Sequence, residues 1–347
     1  MVCFYGTGCA RFLLFCSISI VSDTPQILDD LDQQFKEQTG LTETDVAFLF
    51  LAIGLQIARQ YLISNAAFHI SSSQGDKLAD RALQLAPPSW KEVLTQSVPY
   101  DILKTGDHVS GTGLAGTTHR YRTLGHDPIL GWIFGTANIM TNSLTKTNFE
   151  TYQVNMSEKQ IVRHYPLGVI GMMEKAVEYG SKDPVLLAVA VARQAIHFGS
   201  DYFTTQGLPV PMLSIADDEL VRKMMTVWHI DSYSITRGAV LSSFINTLIA
   251  CIHSLFFDGT TEMQQKLYQV RTRKILLYSN VVATSSNAVV VAATRDLEKL
   301  DVGGAAVTIY RIITDVNFIR KVKQEFVFGT YHSMIMGNQD HLYNIPD

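Results

Sequence analysis

Apolar residues run along this chain in long blocks separated by short polar punctuation, and the block lengths suit helices rather than strands. Residues 24–40, TPQILDDLDQQFKEQTG, are polar and acidic and predict a short surface helix ending at Gly40. Thr42-Glu43-Thr44-Asp45 then offers N-cap side chains for a long apolar helix through VAFLFLAIGLQIARQYLI. Residues 71–110 change character. SSSQGDK, APPSW and SVPYD are loop signals, with a helix over Lys77–Leu85 between them. Asp127-Pro128 and Asp183-Pro184 predict two more helix starts, because Asp caps free amides and Pro has no N–H to lose in the first turn. The first helix is expected to run through ILGWIFGTANIMTNSL, and the second through VLLAVAVARQAIHFGSDYF to a stop near Gln206-Gly207. Between them Ser157-Glu158-Lys159-Gln160 reads as a further helix start, interrupted by Pro166.

Beyond Pro211 the pattern stays helical. Residues 217–228 are amphipathic, 238–257 are free of charge, 262–277 are polar and basic, and 277–294 are again free of charge. Gly303-Gly304 predicts a turn before one or two helices over 305–328, with a loose tail after Gly329. The expected fold is therefore all-α, a large multi-helix bundle. It has an N-terminal extension and short helix at 1–40, a single helical domain at 41–328 and a C-terminal tail at 329–347.

Composition bears on what surrounds those helices. Hydrophobic residues make up 47% of the 347 and charged residues 17%, against a usual charged share of about 25%. A chain so short of solvating surface has a large core, or meets lipid or another subunit, so a membrane surface and a homo-oligomer are both compatible partners. The two charge-free blocks have the length of a span, but Ser242, Ser243, Asn246 and Thr247 punctuate one and Ser279, Asn280, Ser285 and Asn287 the other. Burial in a soluble bundle is the preferred reading of both, with packed membrane helices the alternative. A net charge of −4 argues against general nucleic-acid binding.

Cys3, Cys9, Cys16 and Cys251 form no C-x-x-C pair and no disulfide framework. A reducing compartment fits, so the expected location is cytoplasmic or on the cytoplasmic membrane. The first residues only faintly resemble a signal peptide. The glycine-rich run 106–116 lacks the preceding strand and the G-x-x-x-x-G-K spacing of a phosphate loop.

Two stretches carry the candidate chemistry. In HRYRTLGHDP, His119 and His126 stand seven apart beside Arg120, Arg122 and Asp127. In the helix opened by Asp183-Pro184, His197 and Asp201 stand four apart and share a face with Arg193, one turn earlier, and Gln194 beside it. Imidazole nitrogen and carboxylate oxygen are the usual zinc ligands outside thiolate sites. His119, His126, His197 and Asp201 make a four-ligand set for a divalent metal, with zinc the first choice. Asp127 is expected to cap its helix, with a catalytic role as the competing use. His69, His164, His229, His253 and His332 read as ordinary packed or surface residues, His164 being the best spare ligand.

HRYRTLGHDPILG and, some seventy residues later, HFGSDYFTTQGLPVP resemble the paired motifs of the membrane-bound metal-dependent hydrolase family. His119 and Arg120 match the first His-Arg of that family, His126 matches its second histidine if two extra residues are accepted, His197 and Asp201 match the later pair, and Thr205 and Gly207 roughly match the turn. Gly125-His126-Asp127 replaces the family's Thr-His-Ser, and the resemblance covers about a quarter of the chain. It implies metal binding and hydrolysis of a phosphoester, lipid or nucleotide, with Arg120 and Arg122 on phosphate oxygens and Asp127 as ligand or base. The competing expectation is a non-enzymatic helical scaffold, whose basic runs Arg271–Lys274 and Arg320–Lys323 meet an acidic partner or lipid head groups.

Overall fold

The computed structural model describes residues 24–62, 90, 94, 96–101, 114, 118–204 and 207–336. The fold is predominantly all-α, with one small three-stranded sheet. Its contacts divide the chain into two compact units, each discontinuous in sequence: residues 1–59, 241–286 and 304–347 form one, and residues 60–240 and 287–303 the other. The stretch 41–328 is thus shared between both. The predicted helix over Lys77–Leu85, the glycine-rich run apart from Leu114, the three N-terminal cysteines and Thr205 lie outside the described residues.

The first unit draws on α1 (Thr24–Gln38), α2 (Glu43–Leu62), and parts of three long helices named below in chain order. Thr42 and Asp45 form a reciprocal cap on α2: the Thr42 amide donates to Asp45 Oδ2 at 2.8 Å and the Asp45 amide to Thr42 Oγ1 at 3.3 Å. The predicted surface helix α1 also buries Leu31 and Phe35, against Met263, Leu267, Val270, Val322 and Phe326.

The second unit holds the short helix α3 (Thr118–Arg122), a 3-10 turn at Leu124–His126, α4 (Gly131–Thr141) and strands β1 (Ser143–Thr145), β2 (Thr151–Asn155) and β3 (Gln160–His164). These are followed by α5 (Gly168–Lys182), α6 (Pro184–Tyr202), α7 (Leu213–Ala216) and α8 (Asp218–Thr226). The Asp183-Pro184 start holds, whereas α4 begins only at Gly131, with Leu130 as its N-cap, three residues beyond the expected Asp127-Pro128 start. Asp183 accepts from the amides of Val185 and Leu186 with Pro184 in the first turn of α6, and Asp127 accepts from Ile129 and Leu130 in the turn leading into α4.

The expected helical start at 157–160 is instead a β-turn region. Asn155 Oδ1 accepts from the Ser157 and Glu158 amides and Lys159 takes a left-handed conformation, so the chain reverses and TYQVN pairs antiparallel with QIVRH. Likewise α4 stops at left-handed Asn142, and Ser143-Leu144, expected within the helix, open β1.

Three long helices complete the chain: α9 (Ser232–Ser254), α10 (Glu262–Thr294) and α11 (Val302–Met336). Residues 262–277 and 277–294 are one helix. Gly303-Gly304 is not a turn but part of the first turn of α11. A Cβ on Gly303 would sit 2.1 Å from the Ile235 carbonyl oxygen, so this position needs a glycine for close approach rather than for a bend. The helix also continues past Gly329 to Met336.

Each of these three helices is long and apolar enough to cross a membrane, and α1 with α2, bent by 60°, passes the same test as a broken pair. The polar residues that punctuate the charge-free blocks turn inward. Gln56 donates to the Ser242 carbonyl and to Asn246 Oδ1, and Asn280 donates to Asn246 Oδ1 at 2.7 Å. Phe244, Ile309, Tyr310 and Ile313, by contrast, are each more than half exposed. Polar groups inside and large apolar groups outside is the arrangement a hydrocarbon solvent favours.

Candidate metal centre

The centre lies in the second unit and is assembled from three places. The first is the pair Tyr100-Asp101, the second is α3 with the 3-10 turn, and the third is the C-terminal half of α6. On α6, spacing alone puts His197 and Asp201 on one face, and both are buried, as is Gln194. On the other side, α3 delivers His119 and Arg120, and the 3-10 turn delivers His126. All three side chains are buried.

The hydrogen bonds around His126 define its tautomer. The Thr123 hydroxyl donates to the His119 carbonyl at 2.8 Å and lies 2.8 Å from His126 Nδ1. A hydroxyl has one hydrogen. With it committed to the carbonyl, Thr123 Oγ1 accepts from Nδ1–H, and His126 Nε2 is left with a free lone pair. Burial pushes the His126 imidazole down to about 3, against the pull of Asp101, and burial lowers His197 too. Both rings are neutral near pH 7, the form that binds metal.

Arg120 does for Asp201 what Thr123 does for His126. Its Nη2 donates to Asp201 Oδ1 at 2.8 Å and its Nη1 to the Gly207 carbonyl at 2.9 Å. Gly207 has a φ of +58°, and a Cβ there would fall 1.9 Å from Asp231 Oδ2, so only glycine turns that carbonyl toward Arg120. Asp201 Oδ2 is thereby left pointing at the histidines.

Three buried ligand atoms, His126 Nε2, His197 Nε2 and Asp201 Oδ2, have no hydrogen-bond partner. They are close together all the same: Asp201 Oδ2 is 3.6 Å from His126 Nε2 and 3.3 Å from His197 Nε2. Asp101 Oδ1 lies 3.7 Å from His126 Nε2 on the other side and 2.8 Å from His119 Nε2. Most of these separations are long for hydrogen bonds. Donors held 2.0–2.2 Å from one zinc at tetrahedral angles stand about 3.4 Å apart. His126, His197 and Asp201 could hold a metal ion, and so could Asp101, His119 and His126. Because a single imidazole nitrogen serves one ion, the two triads are alternative three-donor sites that share His126, and the one with His197 and Asp201 is the one whose ligand atoms are all unpartnered.

Burial works to raise the Asp101 carboxyl, but the His119 hydrogen bond and the neighbouring imidazoles outweigh it and hold it well below the usual carboxylate range. Tyr100 packs edge-on against His126 and His197. Its hydroxyl donates to Gln194, which in turn donates to the Gly125 carbonyl at 2.9 Å, so the rings are braced from behind. Arg193 Nε is buried without a hydrogen-bond partner, and burial lowers the pKa of its guanidinium against the opposing pull of the Asp101 carboxylate.

His119, His126, His197 and Asp201 are thus brought together, with Arg120 bound to Asp201. Asp127 is placed differently: Oδ1 caps the α4 turn and Oδ2 accepts from the Met212 amide, so its carboxylate is taken up by backbone. Arg122 Nε lies 2.8 Å from Asp218 at the surface. His164, on exposed β3, stacks on Tyr152. Asp101 was not legible as a site residue, since it follows a Pro-Tyr pair in a segment without periodicity. Thr123 was not either, although its place three residues before His126 is a local signal. Compared with protein-family models, curated proteins and solved structures, the chain has no match.

Proposed function

We propose that the second unit is a metal-dependent hydrolase domain acting on a phosphoester, with zinc the first choice of ion. The observation that carries this reading is the convergence of three buried, unpartnered ligand atoms from His126, His197 and Asp201. Leaving such groups without partners costs about 1–3 kcal/mol each, a cost that a bound cation offsets. Asp101 and His119, hydrogen-bonded to each other, lie beside this triad and share His126 with it.

A metal held there would lower the pKa of a bound water toward 7 and polarise a phosphoryl oxygen. The remaining roles belong to the chain. Asp101 is ionised and, with its side chain 18% exposed, is the less buried carboxylate of the cluster. It is placed to take a proton from an attacking water, with His119 holding its other side. Arg193, cationic and with a free Nε, takes a phosphate oxygen, the role expected of Arg120 and Arg122. Arg120 instead positions Asp201. Asp127 acts as a structural cap rather than as a base.

The depth of the cluster favours a second reading, in which the ion is structural in a non-enzymatic helical protein, because closed sites hold structural metal and open ones catalytic metal. Elemental analysis of protein purified without chelator, combined with hydrolysis of p-nitrophenyl phosphate mono- and diesters, separates the two. The hydrolase reading expects a stoichiometric divalent ion and an activity lost on chelation while the fold persists. A bound ion with no activity, and unfolding on chelation, identifies the structural role. Absence of metal from wild-type protein overturns both.

A further inference from the structure

A second, chemically different cavity lies wholly within the first unit. It has a volume of about 750 Å³ and opens among α9, α10 and α11, with Ala250, Phe257, Leu276 and Tyr310 as apolar and aromatic walls and Arg273 and Arg311 as its cations. These are the three helices whose length and composition suit a membrane. The cavity sits where α10 passes from its basic stretch, Arg271–Lys274, to its charge-free stretch, which begins at Ile275. In a membrane helix such a transition marks the level of the head groups.

The two arginines are held in place. Asp315, fully buried, accepts from Arg273 through Oδ1 and from Arg311 through Oδ2, the latter at 3.1 Å. Arg273 also lies over the Phe318 ring, 4.0 Å from its centroid. One carboxylate against two guanidiniums leaves a net positive charge, and each guanidinium has five N–H donors, most of them still to be used. Thr272, Thr314 and Gln269 add polar groups to the same wall. The outer faces beside it, at Leu255, Ile309 and Ile313, are exposed and apolar.

We propose that this cavity binds the phosphate head group of an anionic lipid, with the acyl chains lying along the exposed apolar faces of α9 and α11. The chemistry is that of a basic pocket between apolar helices: a fixed guanidinium pair for the phosphate, and hydrocarbon beside it for the chains. The inference is independent of the metal centre, which lies in the other unit.

The test is native mass spectrometry of the full chain in neutral detergent, offered phosphatidylglycerol, phosphatidylcholine, or soluble glycerol phosphate. The expected result is retention of phosphatidylglycerol over phosphatidylcholine, with no retention of glycerol phosphate at the same concentration. The triple variant Arg273→Gln, Arg311→Gln, Asp315→Asn removes all three charges together, so no buried carboxylate is orphaned, and should weaken retention roughly tenfold. Gln269→Trp, at an exposed wall position, should block the cavity by bulk without touching the buried charges. It keeps the test decisive if the triple variant fails to fold. Arg320→Gln, outside the cavity, should bind as wild type. Equal retention of the two lipids, undiminished binding in Gln269→Trp, or glycerol phosphate binding as tightly as the lipid would each overturn the proposal.

Discussion

Each unit buries a cluster of Asp, His and Arg. In the first, Asp45 accepts from His253 Nε2 through Oδ1 at 2.7 Å, and through Oδ2 from Arg271 Nε at 2.7 Å and from the Thr42 amide. His253 Nδ1 is 2.8 Å from the Thr272 hydroxyl, which itself donates to the Tyr268 carbonyl. Both ring nitrogens and both carboxylate oxygens have partners at hydrogen-bonding distance. In the second unit Arg120 and Thr123 take up only one atom each of Asp201 and His126, and the remaining lone pairs face one another across 3.6 Å. The residue types are the same, and the Asp and His side chains are buried in both, although Arg271 is 21% exposed where Arg120 is 4%. What separates a structural ion pair from a candidate metal centre is whether the lone pairs are spent within the protein. Composition and the burial of Asp and His alone would have ranked the two equally.

Metal content tests that distinction most severely. His197→Ala with Asp201→Ala should remove all bound divalent metal, because it deletes two of the three unpartnered ligand atoms. Asp45→Ala should leave the content at the wild-type level. Elemental analysis of both, purified without chelator, checks this. Loss of metal from the Asp45 variant in folded protein would erase the contrast between the clusters.

The same Asp45→Ala protein should pay in stability instead. Removing one member of a buried ion pair leaves the others uncompensated and costs about 3–5 kcal/mol. Here His253 and Arg271 lose their shared acceptor and α2 loses its cap. Denaturant unfolding against wild type reads the effect, and a change below about 1 kcal/mol would show that solvent reaches the cluster.

Within the metal centre, Thr123→Val keeps the shape and removes the acceptor for His126 Nδ1–H. Loss of such an outer partner lowers metal affinity by about 10- to 100-fold. Competition with a chromophoric chelator measures it. Unchanged affinity would mean that the tautomer of His126 is set elsewhere.

Proton linkage gives a further test on metal-free protein. Unfolded, an imidazole takes up a proton near pH 6.5, whereas folded His126 does so only near pH 3 because it is buried. Between those values the unfolded chain binds more protons, so stability falls as pH falls. The difference between pH 7 and pH 5 should be about 2 kcal/mol from His126, with the lowered His197 acting in the same direction. Asp101, held low, adds its loss below about pH 4. His126→Asn should flatten the profile over pH 5–7, and an unflattened profile would assign it to other groups.

Much of this was written locally in the chain. Asp183-Pro184 starts α6 by side-chain bonds two and three residues ahead, and His197 and Asp201 share a face because helical spacing requires it. The pairing of His119 with His126 was legible because only seven residues separate them. Asp101 was not, since it stands eighteen residues before His119 with no periodic pattern to link them. The β2–β3 hairpin carries the signature of a helix start because Ser157-Glu158 has the chemistry of a cap, whereas Asn155 two residues earlier makes the turn. Gly303-Gly304 looked like a turn because close packing against α9 leaves no signal in the sequence distinct from a bend.

The smallest expected effect distinguishes the two arginines that the motif placed side by side. Arg120 and Arg122 are two apart on α3, and residues at that spacing do not face the same way on a helix. Arg120 is buried on Asp201, whereas the Arg122 side chain is 31% exposed beside Asp218, itself 37% exposed. A pair so exposed contributes about 0–1 kcal/mol. Arg122→Gln should therefore shift stability by less than about 1 kcal/mol, with metal content and any phosphoesterase activity unchanged. Arg120→Gln should weaken metal binding, because Asp201 Oδ1 loses its guanidinium and the carboxylate is free to turn. Parallel measurement of metal content and hydrolysis in the two variants reads the difference. If Arg122→Gln proved the more damaging, Arg122 rather than Arg193 would be the phosphate-binding arginine, and the assignment drawn from the Asp201 hydrogen bond would have to be reversed.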